Sequence, residues 1–250
     1  ACTVAAIFTE NRFQAAPLKH FLAYEEGFKT NFVLINSKNA NALTGRKGIE
    51  DINTLFSKLN FDLINPVMSS TGVIGNRLPI EKLVTGALKF DLTAKSGENL
   101  SRAIMTTDAY PKTCLYEVKL EDGSSFKIGA VAKGAGMINP NLATMLCFIC
   151  TDADVPYKDI KEALNKNKET TFNAISVDGD TSTNDTVMVL ANGKSNAYNK
   201  DAFCEALRLV MHDMAMLMVA DGEGAKKVAA FEVRNAATKE DAIKAAKALS

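Results

Sequence analysis

Clusters of basic residues and long hydrophobic runs are both missing from this sequence. Lys plus Arg and Asp plus Glu number 29 each, and no run of five or more basic residues occurs, which excludes the electrostatic footprint of a nucleic-acid-binding protein. No apolar stretch approaches the ~18 residues of a membrane span, and no basic region followed by an apolar core opens the chain. We therefore predict a soluble, cytoplasmic protein whose partners are small molecules or copies of itself, with neither nucleic acid nor membrane among them.

Histidine and cysteine are too few and too scattered for a metal centre. His20 and His212 are the only histidines and lie far apart in sequence, so a histidine-based triad or metal cluster is poorly supplied. The five cysteines are an odd number in apolar contexts, which is typical of reduced core thiols. Cys147 and Cys150 have C-x-x-C spacing, yet residues three apart point to opposite faces of a strand. We predict core packing for this pair and no metal site. The glycine loop 134–139 lacks the third glycine of a dinucleotide fingerprint, so we also predict that no cofactor is bound.

Strand-like and helix-like patterns follow one another through the whole chain, with no linker long enough to separate independent domains. The strand-like segments are 3–9, 31–37, 67–72, 115–120, 125–131, 145–150, 186–191 and 228–234. The helix-like segments are 17–26, 48–60, 79–90, 98–105, 156–167, 168–175, 201–220 and 239–249. With 47% hydrophobic residues the chain can bury a substantial core. The pattern predicts a mixed α/β architecture with layered sheets.

A glycine- and asparagine-rich loop leads to Thr144, which opens the apolar run 145–150. A threonine hydroxyl is a poor nucleophile unless a base lies beside it, and one route to such a base is to free the threonine's own α-amine by cutting the preceding peptide bond. The Ala143–Thr144 bond is therefore a candidate self-cleavage site. The alternative is an ordinary β-forming threonine at the start of a strand.

Four segments together resemble the ornithine acetyltransferase (glutamate N-acetyltransferase) family: 70–75, 106–108, 133–154 and 176–185. The resemblance covers essentially the whole chain. It implies a four-layer α/β/β/α fold of the self-processing, N-terminal-nucleophile-like kind. It also implies an acyltransferase of arginine biosynthesis that passes an acetyl group from N-acetylornithine to glutamate through an acetyl-Thr144 intermediate, in a ping-pong reaction. Whether acetyl-CoA serves as a further acetyl donor stays open.

The resemblance also assigns roles to individual residues. Thr71 and Gly72 match the oxyanion hole, for which a hydroxyl and an unobstructed backbone N–H are suited, although from the residues alone a turn after a strand is the simpler interpretation. Thr107, Lys133 and Glu223 match substrate contacts, as does Thr144 itself. An ammonium can bind a substrate carboxylate as a point charge, and a carboxylate suits the amino group of ornithine. The alternatives are a turn at a helix end for Thr107 and a solvated glycine-rich loop for Glu223.

Cleavage before Thr144 would divide the chain into an α portion, 1–143, and a β portion, 144–250. The resemblance implies that the two portions stay associated, with two copies of each. The chain opens at Ala1 and ends inside a helical pattern, which predicts a segment of a longer protein. The resemblance implies that the protein extends at both ends and that its C-terminal part carries further substrate contacts. Two other functions remain open: an N-terminal-threonine amidase or aminopeptidase that passes the acyl group to water, and a non-catalytic truncated relative that binds a ligand or serves assembly.

Overall fold

The structure, a computed structural model, describes residues 1–138 and 145–249. The described residues form eight strands: β1 (Cys2–Phe8), β2 (Lys29–Thr30), β3 (Val33–Asn36), β4 (Val67–Ser70), β5 (Lys112–Lys119), β6 (Ser125–Lys133), β7 (Leu146–Thr151) and β8 (Thr186–Ala191). They also form seven α-helices: α1 (Ala16–Leu22), α2 (Gly45–Ser57), α3 (Ile80–Ala87), α4 (Gly97–Ala103), α5 (Tyr157–Lys168), α6 (Lys200–Ala220) and α7 (Lys239–Leu249). None of these helices is long and apolar enough to cross a lipid bilayer.

The strands build one large and one small sheet. The large sheet has six strands in the order β2-β1-β8-β7-β6-β5, and the small sheet pairs β3 with β4 in parallel. Within the large sheet, β7 and β8 run parallel and the other neighbours run antiparallel. Strand β7, which begins two residues after Thr144, therefore lies at the centre of the sheet and is hydrogen-bonded on both sides.

Side-chain alternation along the strands explains how the layers stack, because successive residues point to opposite faces of a sheet. Val187 and Val189 of β8 face a core that they share with helices α5 and α6, whereas Met188 faces the small sheet. In the small sheet, Val67 of β4 packs toward the large sheet, and Met68 packs toward helices α2 and α3. The order is helices, large sheet, small sheet, helices, so the predicted α/β/β/α arrangement of mixed sheets is confirmed.

The same alternation separates the two cysteines of the C-x-x-C segment. Cys147 is buried in the core beneath α5 and α6, and Cys150, on the same strand, is exposed. All five cysteines are free thiols.

Two predicted elements differ from the structure. The strand predicted over 228–234 is wrong: these residues form no strand, and Val228 and Phe231 are about half exposed (51% and 47%), because apolar alternation gives a strand only where a neighbouring strand pairs with it. The helix predicted over 168–175 is also wrong. Helix α5 ends at Lys168 and only a 3₁₀ turn, Phe172–Ala174, follows, because the Thr171 hydroxyl donates to the Asn167 carbonyl at 2.8 Å and competes with helix continuation.

Candidate active site

Ala143 and Thr144, the predicted cleavage site and nucleophile, lie outside the described residues. The next residue, Met145, is buried and fixed at both of its backbone groups. Its N–H donates to Asp185 Oδ1 at 3.0 Å, and its carbonyl accepts from the Thr186 N–H at 3.0 Å. The start of β8 therefore holds the backbone immediately after Thr144.

Lys133 lies at the end of β6, where the antiparallel register places it opposite Leu146, the residue after Met145. Its side chain is almost fully buried, and its ammonium lies 3.8 Å from Asp108 Oδ2. Burial lowers the pKa of Lys133, and the negative charge of Asp108 partly offsets this effect. The positive charge of Lys112 lowers the pKa of Lys133 further, and the negative charge of Glu223 raises it.

Asp108 is the centre of a buried network of charges. Its Oδ1 accepts from Lys112 Nζ at 2.8 Å and from the Gly134 N–H at 2.7 Å, and its Oδ2 accepts from the Thr106 N–H at 3.0 Å. Lys112 is fully buried and also binds Asp221 Oδ2 at 2.5 Å. Burial opposes the ionisation of Asp108, but the hydrogen bonds from Lys112 and from the two backbone N–H groups lower its pKa overall. The network fixes the loop that begins at Gly134.

The predicted substrate contacts Thr107 and Glu223 lie beside this network. Thr107 is exposed and sits between Thr106, whose N–H binds the Asp108 carboxylate, and Asp108 itself. The Glu223 N–H donates to the Ala135 carbonyl at 2.7 Å. The Glu223 carboxyl carbon lies 2.6 Å from the point where a side chain on Gly136 would begin, so the glycine leaves room for the carboxylate. A cation and an anion, Lys133 and Glu223, thus flank the loop that leads to Thr144.

Thr71 and Gly72, the predicted oxyanion hole, form a turn after β4. Thr71 is buried, and its N–H donates to the Asn36 carbonyl at 3.0 Å. Gly72 has φ of +129°, and a Cβ at this position would lie 2.2 Å from the carbonyl carbon of Lys38. The Asn184 side chain binds the carbonyl of Ser70, the residue before Thr71, and Asn184 is followed by Asp185, which binds Met145. The structure therefore brings this turn to the same end of the large sheet as the start of β7.

The packing of Gly72 predicts the cost of a substitution there. Gly72→Ala should lower the free energy of unfolding by about 2–3 kcal/mol more than Gly75→Ala, since the added methyl group meets the Lys38 backbone. Gly75 is the matched control: its φ is +92°, so it carries a comparable backbone strain, but nothing lies within 4 Å of its Cβ position. Urea unfolding of the two variants measures the difference, and equal losses would show that the contact with Lys38 relaxes freely.

Asp185 is fully buried, and its carboxyl group keeps its proton to a higher pH than an ordinary aspartate does. Burial raises the pKa of its carboxyl group well above the ordinary value, and the Met145 N–H, the hydroxyls of Ser182 and Thr9 and the charge of Lys133 act in the opposite direction. Its Oδ1 accepts from the Met145 N–H at 3.0 Å. The folded protein therefore favours the neutral acid, which can accept at one oxygen without the cost of a buried charge.

Asp185→Asn should therefore stabilise the protein increasingly as the pH rises. Asn keeps an oxygen for the Met145 N–H but cannot ionise. In the wild type, the unfolded carboxyl releases its proton near pH 4 and the folded one at higher pH. The stability that this group contributes is therefore complete below about pH 4 and is lost as the pH rises toward the folded pKa, by about 1.4 kcal/mol per pH unit.

Urea unfolding between pH 5 and pH 8 checks this prediction. Asp122→Asn is the control, because Asp122 is an exposed turn residue that also accepts a backbone N–H, that of Ser124. The hydroxyl of Ser124 lowers the pKa of Asp122, so this carboxyl is ionised in both the folded and the unfolded protein throughout that pH range. The difference from wild type should be constant for Asp122→Asn and should grow for Asp185→Asn; parallel profiles would contradict the neutral state of Asp185.

Sequence reasoning missed four residues that the structure brings to this site: Lys112, Asp221, Asn184 and Asp185. The sequence does contain a signal for Lys112: the residue lies on the same side of β5 as Cys114 and Tyr116, which pack on the core. In residues 1–138 and 145–249, no cluster of three or more His, Cys, Asp or Glu side chains is arranged to hold a metal ion.

Comparison with known proteins extends the resemblance. The model of the ArgJ family matches residues 1–250. The chain is 59% identical over 250 residues to the arginine biosynthesis bifunctional protein ArgJ of Wolinella succinogenes, covering 99% of this chain and 63% of that protein. It is 41% identical over 256 residues to the glutamate N-acetyltransferase of Methanothermobacter thermautotrophicus, again with 99% and 63% coverage. The chain thus spans 63% of the length of these two relatives.

The fold also has a distant counterpart among solved structures. The PH0078 protein of Pyrococcus horikoshii superimposes with a TM-score of 0.52 at 11% identity, over 97% of this chain and 79% of that one. At this identity the match bears on the fold alone. The family follows instead from the whole-chain match and from the identities of 59% and 41%: this chain belongs to the ArgJ family.

Proposed function

We propose that the protein carrying this chain transfers the acetyl group of N-acetylornithine to glutamate. Membership of the ArgJ family and the name of the Methanothermobacter thermautotrophicus relative support the reaction. The observation that supports it in the structure is the position of two opposite charges near the start of β7: Lys133 is buried opposite Leu146, and the Glu223 carboxylate lies against Gly136. Both substrates carry a carboxylate and ornithine carries a free amino group, so one cation and one anion at this site match their charges.

The proposed chemistry begins with self-cleavage. Thr144 Oγ attacks the Ala143 carbonyl carbon, the peptide C–N bond breaks as an ester forms, and the amine of Thr144 takes the proton. Water then hydrolyses the ester, which leaves the carboxylate of Ala143 and a free hydroxyl and α-amine on Thr144. An α-amine has a reference pKa of about 8 and can act as general base for the neighbouring hydroxyl.

Acetyl transfer follows the same chemistry in two halves. The Thr144 hydroxyl attacks the acetyl carbonyl of N-acetylornithine, the amide bond breaks, and ornithine leaves with the proton that the α-amine has taken. The amino group of glutamate then attacks the acetyl ester and regenerates the hydroxyl. In each half an oxyanion develops, and the Thr71 hydroxyl and the Gly72 N–H are the proposed donors to it. No bound cofactor is required, and acetyl-CoA remains an untested second donor.

The sheet topology supports association of the two portions after cleavage. Strands β7 and β8 come from the portion after Thr144, and they lie between β1 and β6 from the portion before it. Twelve residue pairs join the two portions along these edges, six between β1 and β8 and six between β6 and β7. Separation would expose buried strand edges, so we propose that the portions remain together, and that two copies of each form the assembly.

Product analysis tests this function. The protein is incubated with N-acetylornithine labelled in the acetyl group, with and without glutamate. We expect labelled N-acetylglutamate only when glutamate is present, parallel initial-velocity lines as in ping-pong kinetics, and a burst of at most one ornithine per site without glutamate. Release of labelled acetate regardless of glutamate would favour the amidase or aminopeptidase alternative, and no turnover of any kind would favour the non-catalytic one.

A further inference from the structure

The amide of Asn184 ties two loops together beneath the proposed oxyanion hole. Asn184 is buried, and its Nδ2 donates to the Ala40 carbonyl at 2.7 Å and to the Ser70 carbonyl at 2.9 Å. Its Oδ1 accepts from the Thr183 hydroxyl at 2.7 Å, so both amide hydrogens and the oxygen are used. A side chain with an amide head is needed here, because a hydroxyl offers one donor and a carboxylate none.

The bond to Ser70 fixes one whole peptide plane. The Ser70 carbonyl and the Thr71 N–H belong to the same planar unit. Asn184 holds the carbonyl end of this plane, and the Asn36 carbonyl holds the N–H end at 3.0 Å. The direction in which the chain enters Thr71 and Gly72 is therefore set by these two bonds.

Asp185, the neighbour of Asn184, fixes the backbone of Met145. Its Oδ1 accepts from the Met145 N–H, and the carbonyl of Met145 is held by the Thr186 N–H. Asp185 is itself anchored, since its own carbonyl accepts from the Thr9 N–H at 3.1 Å. Two consecutive side chains thus bind the turn after β4 on one side and the start of β7 on the other.

We infer that Asn184 and Asp185 are positioning residues that hold the Thr71–Gly72 turn and the backbone after Thr144 in a fixed relation. The inference rests on the proposed function, in which the turn supplies the oxyanion hole and Thr144 the nucleophile. Consecutive Cα atoms are ~3.8 Å apart, so the pair leaves little freedom between the two parts. Reaction rate depends steeply on such geometry, and a displacement of ~1 Å can cost 10²-fold.

The first test separates positioning from general stability. Asn184→Ala and the isosteric Asn184→Asp should lower kcat for acetyl transfer by about 10²-fold, with KM for N-acetylornithine changed by less than about threefold. Asn167→Ala is the matched control, because Asn167 is also buried and its amide donates to a backbone carbonyl, that of Cys204, at 3.0 Å. It joins α5 to α6, away from the site, and should keep the wild-type kcat.

The second test uses the acceptor oxygen of Asp185. Asp185→Asn keeps an oxygen for the Met145 N–H, whereas Asp185→Leu lacks the acceptor, so the Leu variant should self-cleave at least about tenfold more slowly at pH 7 than the Asn variant. Cleavage is followed by intact mass under denaturing conditions. Equal rates for the Asn and Leu variants would overturn the role of Asp185.

The results that would contradict the positioning role differ from those that would contradict the proposed function. If the wild type neither cleaves nor transfers acetyl groups, the proposed function fails. If the wild type does both, but Asn184→Asp or Asn184→Ala matches Asn167→Ala in kcat, the positioning role fails. It also fails if the whole effect lies in KM, or if both Asn184 variants are insoluble while Asn167→Ala folds, because Asn184 would then serve folding and not the geometry of the site.

Discussion

Thr144→Ala should leave the chain uncut and without acetyl transfer. The hydroxyl is the proposed nucleophile in both self-cleavage and acyl transfer, so its removal takes away the bond-forming atom of each reaction. The turnover rate should fall by a factor on the order of 10⁴ or more. Intact mass and N-terminal sequencing after incubation should show, in wild type only, a fragment that begins Thr144-Met145-Leu146.

Two further variants make this result specific. Thr144→Ser keeps a hydroxyl at the same place and should still cleave and turn over. Thr151→Ala removes a buried threonine hydroxyl at the other end of β7, which donates to the Lys127 carbonyl at 2.7 Å, and it should be cut like wild type. Cleavage of the Thr144→Ala variant after Ala143 would contradict the assignment of Thr144 as the nucleophile. Loss of cleavage in Thr151→Ala would indicate a folding defect of β7.

The sequence patterns predicted strands, helices and layered sheets, whereas the order of the layers came from the resemblance. Buried residues follow one another without alternation in β4 and β8, so only the structure shows that Val67 faces the large sheet and Met68 the helices. The strand predicted over 228–234 shows the limit of such patterns. The segment has apolar residues at 228, 231 and 233, but strand formation depends on a pairing partner, which local composition does not specify.

The candidate site also contains residues that were predicted from the sequence and residues that were not. The resemblance supplied the proposed substrate contacts, such as Lys133 and Glu223, whereas the residues that surround them were missed. Asn184 acts across 114 residues on Ser70 and across 144 on Ala40, and contacts of that sequence separation leave no periodic signal. Lys112 did leave one, because a lysine in the inward phase of β5 must be buried, and a buried charge requires a partner.

Because a buried charge requires a partner, Lys112→Met is the second substitution from which we expect a large effect, here on the free energy of unfolding. Lys112 is fully buried between Asp108 and Asp221, and methionine replaces its length without its charge. Both carboxylates would lose their shared cation, and the free energy of unfolding should fall by about 3–5 kcal/mol. Because Asp108 also binds the Gly134 N–H, the loop toward Thr144 should loosen as well, with slower self-cleavage.

Urea unfolding checks this cost against a surface counterpart. Lys200 also bridges two carboxylates, Glu162 at 2.7 Å and Asp159 at 3.1 Å, but its side chain is 52% exposed. Lys200→Met should therefore have little effect, since water replaces and screens the lost charge.

A double variant shows whether the loss of stability comes from uncompensated charge. If the cost comes from uncompensated charge, Lys112→Met combined with Asp221→Leu should recover part of the stability, because Lys133 lies 3.8 Å from the remaining Asp108 carboxylate and can balance it. Asp221 also accepts the Ala109 N–H at 3.0 Å, so recovery should be partial. A double variant that is less stable than Lys112→Met would mean that the bond to Ala109 outweighs the charge, and that the network is held together by its backbone contacts.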